Sequence, residues 1–441
     1  MRNTDYFKNK RVLIVGLARS GVAAANLLFD LGAQVSVTDN QETQATRANA
    51  AQLKSDKIKV ELGRHSEELV KTSDSLVISP GVPNKAYPVA LADKLAIPVI
   101  SEIELGWIVC PGTVIAVTGS GGKTTVTTLI GKILEANPVR HCSSEANTGN
   151  MSNGASGRRV FVLGNIGNPF CSEVERIRPQ DYAVLEISSF QLERIKTFKP
   201  KIAVMLNFSK NHLDRHTDMQ EYLDAKKRIF LNQERDDFLV LNSEDPVLKA
   251  LAGEAKSKVE FFAKTDELNP NQAAVVTVGA LLGINKDICL KVFSEFKGLQ
   301  HRMEFVTEID GVKFINDSKA TVAESCAWAI KNIPSQVILI AGGKDKGVDY
   351  RVILDAALGK VKKVIVIGEA RKKIKDALGS ALPVQEAPTL PDAVRDAFRQ
   401  ASRGDYVLLS PMCSSFDMFT DYEERGKVFK EAVFSLAKNK D

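Results

Sequence analysis

A chain of 441 residues is too long for one ordinary hydrophobic core and is sized for about three domains of roughly 150 residues each. Its 44% hydrophobic and 26% charged residues exclude general disorder. Lys and Arg total 59 against 54 Asp and Glu, a formal charge of +5 that argues against a nucleic-acid or membrane-surface protein and suits small anionic substrates.

The opening residues show no secretory signal, since the apolar run at 12–15 is only strand-sized. No stretch approaches 18 consecutive apolar residues, so no spanning helix is expected. Strands are expected at residues 11–16, 34–39 and 75–79, with helical spacing over 22–31. A second series covers 114–118, 160–164, 182–187, 202–207 and 238–242, and a third covers 313–316, 337–341, 363–368 and 405–410. Strands alternating with helical stretches predict βαβ units around mostly parallel sheets. Pro111-Gly112 and the stretch 297–299 read as joints between three such units. Residues 137–157, rich in Ser, Asn and Gly, read as a long loop. Cys110, Cys142, Cys171, Cys289, Cys326 and Cys413 are scattered without a C-x-x-C pair, as expected of core thiols in a reducing, cytosolic protein.

The strongest local signal is VIAVTGSGGKTT at 114–125. An apolar strand runs into Gly119, Ser120, Gly121 and Gly122, then Lys123, Thr124 and Thr125 open a helix. Glycines let backbone N–H groups converge on phosphate oxygens, and the helix start adds partial positive charge. Lys123 then reaches the β/γ-phosphates and the Thr124 hydroxyl meets Mg²⁺. Val117 stands where the eight-residue Walker pattern has its first glycine, so this is a shortened phosphate loop. ATP binding is the primary inference. The N-terminal Gly16-Leu17-Ala18-Arg19-Ser20-Gly21, with Asp39 closing the next strand, resembles a dinucleotide fingerprint whose second glycine is Ala18. A nucleotide-linked diphosphate suits this helix start better than a nicotinamide cofactor.

Glu186, at the end of YAVLE, and His212 and Asp214, after the strand ending near Asn207, fall where open α/β sheets place ligands. Lone Glu and His residues are ordinarily a solvated charge and a satisfied structural group, so position alone singles these out. Asn316–Thr321 and Ser410–Asp417 close later strands with polar clusters, in which Asp317, Ser318 or Ser415 can cap a helix, bind a ligand, or both.

Taken together, these motifs resemble the Mur ligase family, ATP-dependent amino-acid ligases of peptidoglycan precursor synthesis, over nearly the whole chain. The matching segments are Gly119–Thr125, EISSFQLE at 186–193, NFSKNHLDR at 207–215, YLDAK at 222–226, His301-Arg302, NDSKAT at 316–321 and SPMCSSFDMFTDYEERG at 410–426. The segment 186–193 is similar to the motif of the member that adds D-glutamate. The resemblance implies three consecutive α/β domains: a Rossmann-like UDP-sugar domain at 1–110, a P-loop ATPase-like domain with a mostly parallel sheet at 111–299, and a Rossmann-like amino-acid domain at 300–441. It implies that Lys123 and Thr124 hold ATP phosphates and Mg²⁺, that Glu186 and His212 are metal ligands, and that Lys226 is carbamylated by CO₂ and joins them. Asn271, Arg302 and Asp317 then contact ATP. Leu17, Ala18, Arg19, Asp39 and Asn165 touch the UDP-sugar, and Lys319, Thr321, Ser415 and Tyr422 line the D-glutamate site. Partners are small molecules, UDP-N-acetylmuramoyl-L-alanine and D-glutamate, acted on by a cytoplasmic monomer.

The pattern departs from the family at Ser120-Gly121, where Thr-Asn is usual, at Glu267–Asn271, where only Asn271 keeps its place in the adenine-binding stretch, and at Met412 and Ser414. Residues 137–157 look like an insertion. A related ligase with another substrate, an inactive nucleotide-binding scaffold and a nucleotide-binding dehydrogenase are the alternatives.

Overall fold

The computed structural model describes residues 4–137, 157–209, 215–296, 298–345 and 347–438. It divides into two compact units, Met1–Glu295 and Phe296–Asp441. Three sheets carry three α/β domains, two in the first unit and one in the second.

The first sheet holds β1 (Arg11–Val15), β2 (Gln34–Asp39), β3 (Lys59–Leu62), β4 (Ser75–Ile78) and β5 (Val99–Ser101). All pairs are parallel in the order β3-β2-β1-β4-β5. Val12, Leu13 and Ile14 are buried on both faces, which is why the central strand reads as one apolar run. The helix Arg19–Asp30 starts three residues earlier than its apolar periodicity suggests, because Ala18 is already extended and serves as N-cap.

The second sheet holds β6 (Thr113–Thr118), β7 (Val160–Gly164), β8 (Tyr182–Glu186), β9 (Ile202–Met205), β10 (Phe238–Asn242) and β11 (Lys258–Phe262). It is again wholly parallel, in the order β11-β10-β9-β6-β8-β7. β6 therefore lies centrally, with β9 and β8 on its two sides. At its carboxyl end the chain has crossed in both directions, the place where open α/β sheets form a ligand crevice.

One buried cluster runs through both sheets of this unit, from Phe7 and Val12 to Leu239 and Leu251. The helix Glu102–Val109 bridges them with Ile103 and Leu105. Gly106 is required here: a Cβ would lie 2.5 Å from Phe170 Cδ1. Glu104, 1% exposed, accepts from the backbone N–H groups of Lys196, Thr197 and Phe198 at 2.9, 2.7 and 2.9 Å, and so locks that helix to the second sheet. Glu102, also 1% exposed, accepts from Cys171 N at 2.6 Å, while its Oε2 has no hydrogen-bond partner.

The second unit holds β12 (Glu304–Ile309), β13 (Val312–Asn316), β14 (Val337–Gly342), β15 (Val361–Ile367), β16 (Val384–Glu386) and β17 (Tyr406–Leu409), in the order β12-β13-β17-β14-β15-β16. Only β12 is antiparallel to its neighbour. Buried clusters line both faces of this sheet. Among the described residues no helix is long and apolar enough to cross a membrane. Cys110, Cys171, Cys289, Cys326 and Cys413 are buried free thiols; Cys142 and residues 138–156 of the expected loop lie outside the described residues.

Burial pushes the Glu102 carboxyl up to about 7 from an ordinary 4.5, against the hydrogen bonds from Cys171. A raised carboxyl pKa makes the folded state hold its proton longer than the unfolded chain does, so this contribution is complete below 4.5 and is lost as pH rises to about 7. Urea unfolding of the full chain should show wild type losing about 2–3 kcal/mol relative to Glu102→Gln between roughly pH 5 and 8. A difference independent of pH would contradict this.

Candidate active site

β6 delivers the chain into Gly119 at φ 157° and Gly122 at φ 78°, the latter capping the helix Lys123–Ala136 in the left-handed region. No side chain caps that helix start, so the first-turn N–H groups and the positive end of the helix face the loop's interior. Thr124 is buried and Lys123 and Thr125 are half-buried. Lys123 Nζ donates to Gly119 O at 3.0 Å.

Lys226 comes to the same carbonyl from the helix Met219–Lys227, donating to Gly119 O at 2.9 Å and to Thr118 Oγ1 at 3.4 Å. It is 1% exposed and no carboxylate pairs with it among the described residues. Burial, followed by the charge of Lys123, holds its amine well below the usual lysine range. Glu186, 2% exposed at the end of β8, accepts from Asn165 Nδ2 at 2.8 Å through Oε1, and its Oε2 is buried without a hydrogen-bond partner. Gly164 makes this approach possible, because a Cβ there would lie 2.4 Å from Glu186 O. The Glu186 carboxylate thus offers one unengaged hard oxygen beside the phosphate loop.

No group of three His, Cys, Asp or Glu side chains suited to a metal occurs among the described residues. A divalent cation at this strand end would draw ligands from substrate oxygens and water as well as from protein, the habit of Mg²⁺, and Glu186 Oε2 and the Thr124 hydroxyl suit it as hard donors. His212 and Asp214 lie outside the described residues.

Asn271 stands at the loop, with a Cβ on Gly122 falling 2.5 Å from its Oδ1. Three residues to which the motifs gave no role complete the frame. Asn207 bonds Gly121 in both directions, and Tyr222 OH lies 3.2 Å from Ser120 Oγ. His216, 2% exposed, stacks on Phe190 and meets Ser189 Oγ at 3.0 Å. A lone Asn after a strand and a lone His in a polar run carry no periodic signal, so only three-dimensional placement marks them.

In the first sheet, Leu17 N donates to Asp39 Oδ2 at 2.7 Å, while Asp39 Oδ1 accepts from Gln41 N at 2.9 Å. Leu17 is core, 1% exposed, while Ala18 is exposed on the turn. Arg19 donates to Gly167 O at 2.7 Å, bringing the fingerprint turn to the loop that carries Asn165.

In the second unit, Asp317 is 7% exposed, accepting from Ser410 Oγ at 2.9 Å and Met303 N at 3.2 Å. Burial pushes its carboxyl up to about 6 despite these bonds and the charge of Arg302, whose side chain is exposed. Lys319 Nζ lies 5.1 Å over the Tyr422 ring, and Thr321 follows on the same turn. Ser415 is 2% exposed in the loop after β17. Arg425, fully buried, ties the two loops together by donating to Ser318 Oγ and O and to Cys413 O at 3.0, 2.8 and 3.1 Å. Its burial was not visible from the charged run DYEERG that contains it.

Three family models match the chain: "Mur ligase MurD-like, N-terminal domain" at residues 10–101, "Mur ligase middle domain" at 117–297 and "Mur ligase, glutamate ligase domain" at 301–413. Relatives named UDP-N-acetylmuramoylalanine--D-glutamate ligase are 40% identical in Geotalea daltonii, covering 98% of both chains, and 38% identical in a Thermoanaerobacter species, covering 97% of this chain and 99% of that one. Among solved structures, MurF ligase from Thermotoga maritima in complex with ADP has a TM-score of 0.57 at 16% identity, covering 99% of this chain and 97% of that one. UDP-N-acetylmuramate-alanine ligase MurC from the same organism has a TM-score of 0.56 at 16% identity, covering 97% and 100%.

Gly122→Ala meets both a left-handed φ of 78° and the Asn271 amide. It should cost about 2 kcal/mol, and in an Asn271→Ala background part of that cost should vanish. Thermal unfolding across the double-mutant cycle reads this coupling, and strictly additive costs would contradict it.

Proposed function

The chain belongs to the Mur ligase family, and from that premise we propose that it is an ATP-dependent ligase joining D-glutamate to UDP-N-acetylmuramoyl-L-alanine through an acyl phosphate. The observation that carries this reading is the convergence of Lys123 and buried Lys226 on Gly119 O beside a glycine-bounded helix start. The choice of D-glutamate is supported by full-length similarity to relatives of that name and by the segment 186–193.

A carboxylate is a poor acyl donor because oxide is a poor leaving group. In the proposed reaction a substrate carboxylate oxygen attacks the γ-phosphorus, the bond to the β-phosphate bridging oxygen breaks, and ADP leaves. The amine of D-glutamate then attacks the acyl carbon, and inorganic phosphate departs with the original carboxylate oxygen, carrying away the proton the amine loses. Lys123 and the first turn of its helix hold the phosphates and offset their charge. Mg²⁺, when bound by Thr124, Glu186, His212 and carbamylated Lys226, supplies further charge neutralisation at the phosphate oxygens. Holding the reactants in place can supply roughly 7–11 kcal/mol of the barrier.

The carbamate at Lys226 is part of the proposal. A neutral amine adds to CO₂, forming an N–C bond and releasing a proton, and the product is an anion. The burial and low proton affinity of Lys226 favour the neutral amine this needs. The anion then faces Lys123, which the ammonium would repel.

We assign the UDP-sugar to Leu17, Ala18, Arg19, Asp39 and Asn165 in a module at 1–110, and nucleotide to Gly119–Thr125 and Asn271 in a module at 111–299. Arg302 and Asp317, for nucleotide, and Lys319, Thr321, Ser415 and Tyr422, for D-glutamate, fall in a module at 300–441. The enzyme is proposed to act as a cytoplasmic monomer.

Phosphate release should require ATP, Mg²⁺, UDP-N-acetylmuramoyl-L-alanine and D-glutamate together; release with another amino acid but not with D-glutamate would overturn the assignment. Lys123→Ala should lower turnover at least about 100-fold with UDP-substrate binding retained, measured by calorimetry. Lys226→Ala should lose activity and regain part of it with added formate or acetate; full activity in Lys226→Ala would discard the carbamate.

A further inference from the structure

We propose that Asn207 is a positioning residue for the phosphate loop, its side-chain amide pairing with Gly121 and holding the loop in its nucleotide-receiving shape before nucleotide arrives. This rests on the phosphate-loop reading above.

β6 and β9 pair in parallel, with Thr118 opposite Met205. The ladder continues past the strands: Leu206 N donates to Thr118 O at 3.0 Å and Ser120 N to Asn207 O at 3.1 Å. At the next position the backbones diverge and the Asn207 side chain supplies the missing rung. Gly121 N donates to Asn207 Oδ1 at 2.8 Å, and Asn207 Nδ2 donates to Gly121 O at 3.1 Å. A primary amide presents a donor and an acceptor side by side, as a neighbouring strand does, so it can stand in for one.

Gly121 is the loop position that gains most from such support. Its φ lies outside the left-handed region, unlike those of Gly119 and Gly122. A Cβ there would meet only Asn207 Oδ1, at 4.0 Å. Neither backbone shape nor space demands a glycine, so the residue adds only freedom that must be lost when the loop orders. Asn207 offsets that loss. Because the Gly121 N–H is spent on Asn207, the phosphate-facing donors are those of residues 122–125, at the helix start that no side chain caps. Ser120 is held on the same side, its Oγ donating to Ser209 O at 3.1 Å and accepting from Ser209 N at 3.0 Å.

The test is Mg-ADP binding by calorimetry to the full chain. Asn207→Ala should weaken binding about tenfold with a thermal midpoint within a few degrees of wild type. Gly121→Ala added to the Asn207→Ala background should recover about threefold of that loss. Equal ADP affinity in wild type and Asn207→Ala, or no recovery in the double variant, would overturn the proposal. Should Asn207→Ala not fold, ¹⁵N-glycine-labelled wild type decides: the Gly121 N–H should exchange slowly in nucleotide-free protein, and exchange at the rate of an open loop overturns the clamp. Wild type that binds no Mg-ADP would defeat the phosphate-loop reading itself, and the exchange rate would still judge the clamp separately.

Discussion

Two lysine amines meet a single backbone carbonyl, Gly119 O, and one of the two is almost completely buried. Like charges in a poorly solvated place repel strongly, and this arrangement is tolerable only if one amine sheds its proton or anions arrive. The proposed reaction draws on both routes at the carboxyl end of β6. Burial lowers the proton affinity of Lys226, while Lys123, the helix start and the glycine turns form the site proposed for phosphate. The remainder of the first unit can be read as scaffolding for that convergence. β8 brings Glu186 with one oxygen unengaged, β9 brings Asn207, and the helix after residue 218 brings Tyr222 and Lys226.

The same logic of strand ends recurs in the other sheets. In the first, the turn after β1 spends its Leu17 N–H on Asp39, at the turn proposed for the UDP-sugar. In the second unit, the loops after β13 and β17 are stapled by Arg425, a guanidinium wholly removed from water whose proton affinity burial lowers to about 10. Its bonds run to Ser318 and Cys413, between residues assigned to the amino acid.

Much of this was legible in the sequence because central strands of parallel sheets are apolar on both faces. β1, β6, β8, β9, β10, β14, β15 and β17 all announce themselves as short branched runs, and the residues just beyond them form the site. The five strands that sequence patterning passed over, β3, β5, β11, β12 and β16, all lie at sheet edges. Four are partly solvated, with Lys59, Phe305 and Phe261 exposed within them, and β5 is only three residues long. The phosphate loop was legible because its chemistry is local. What Asn207, His216 and Arg425 do was not, since each acts on residues distant in sequence and looks, in one dimension, like an ordinary polar group.

In the proposed reaction, cations gathered at Gly119 let a nucleotide activate a substrate carboxylate. Oxygen transfer tests it most directly. UDP-N-acetylmuramoyl-L-alanine carrying ¹⁸O in its carboxylate, turned over with ATP and D-glutamate, should yield inorganic phosphate bearing one ¹⁸O per product formed. Amide product accompanied by unlabelled phosphate would mean that the carboxylate never bonds to phosphorus, and would contradict the account.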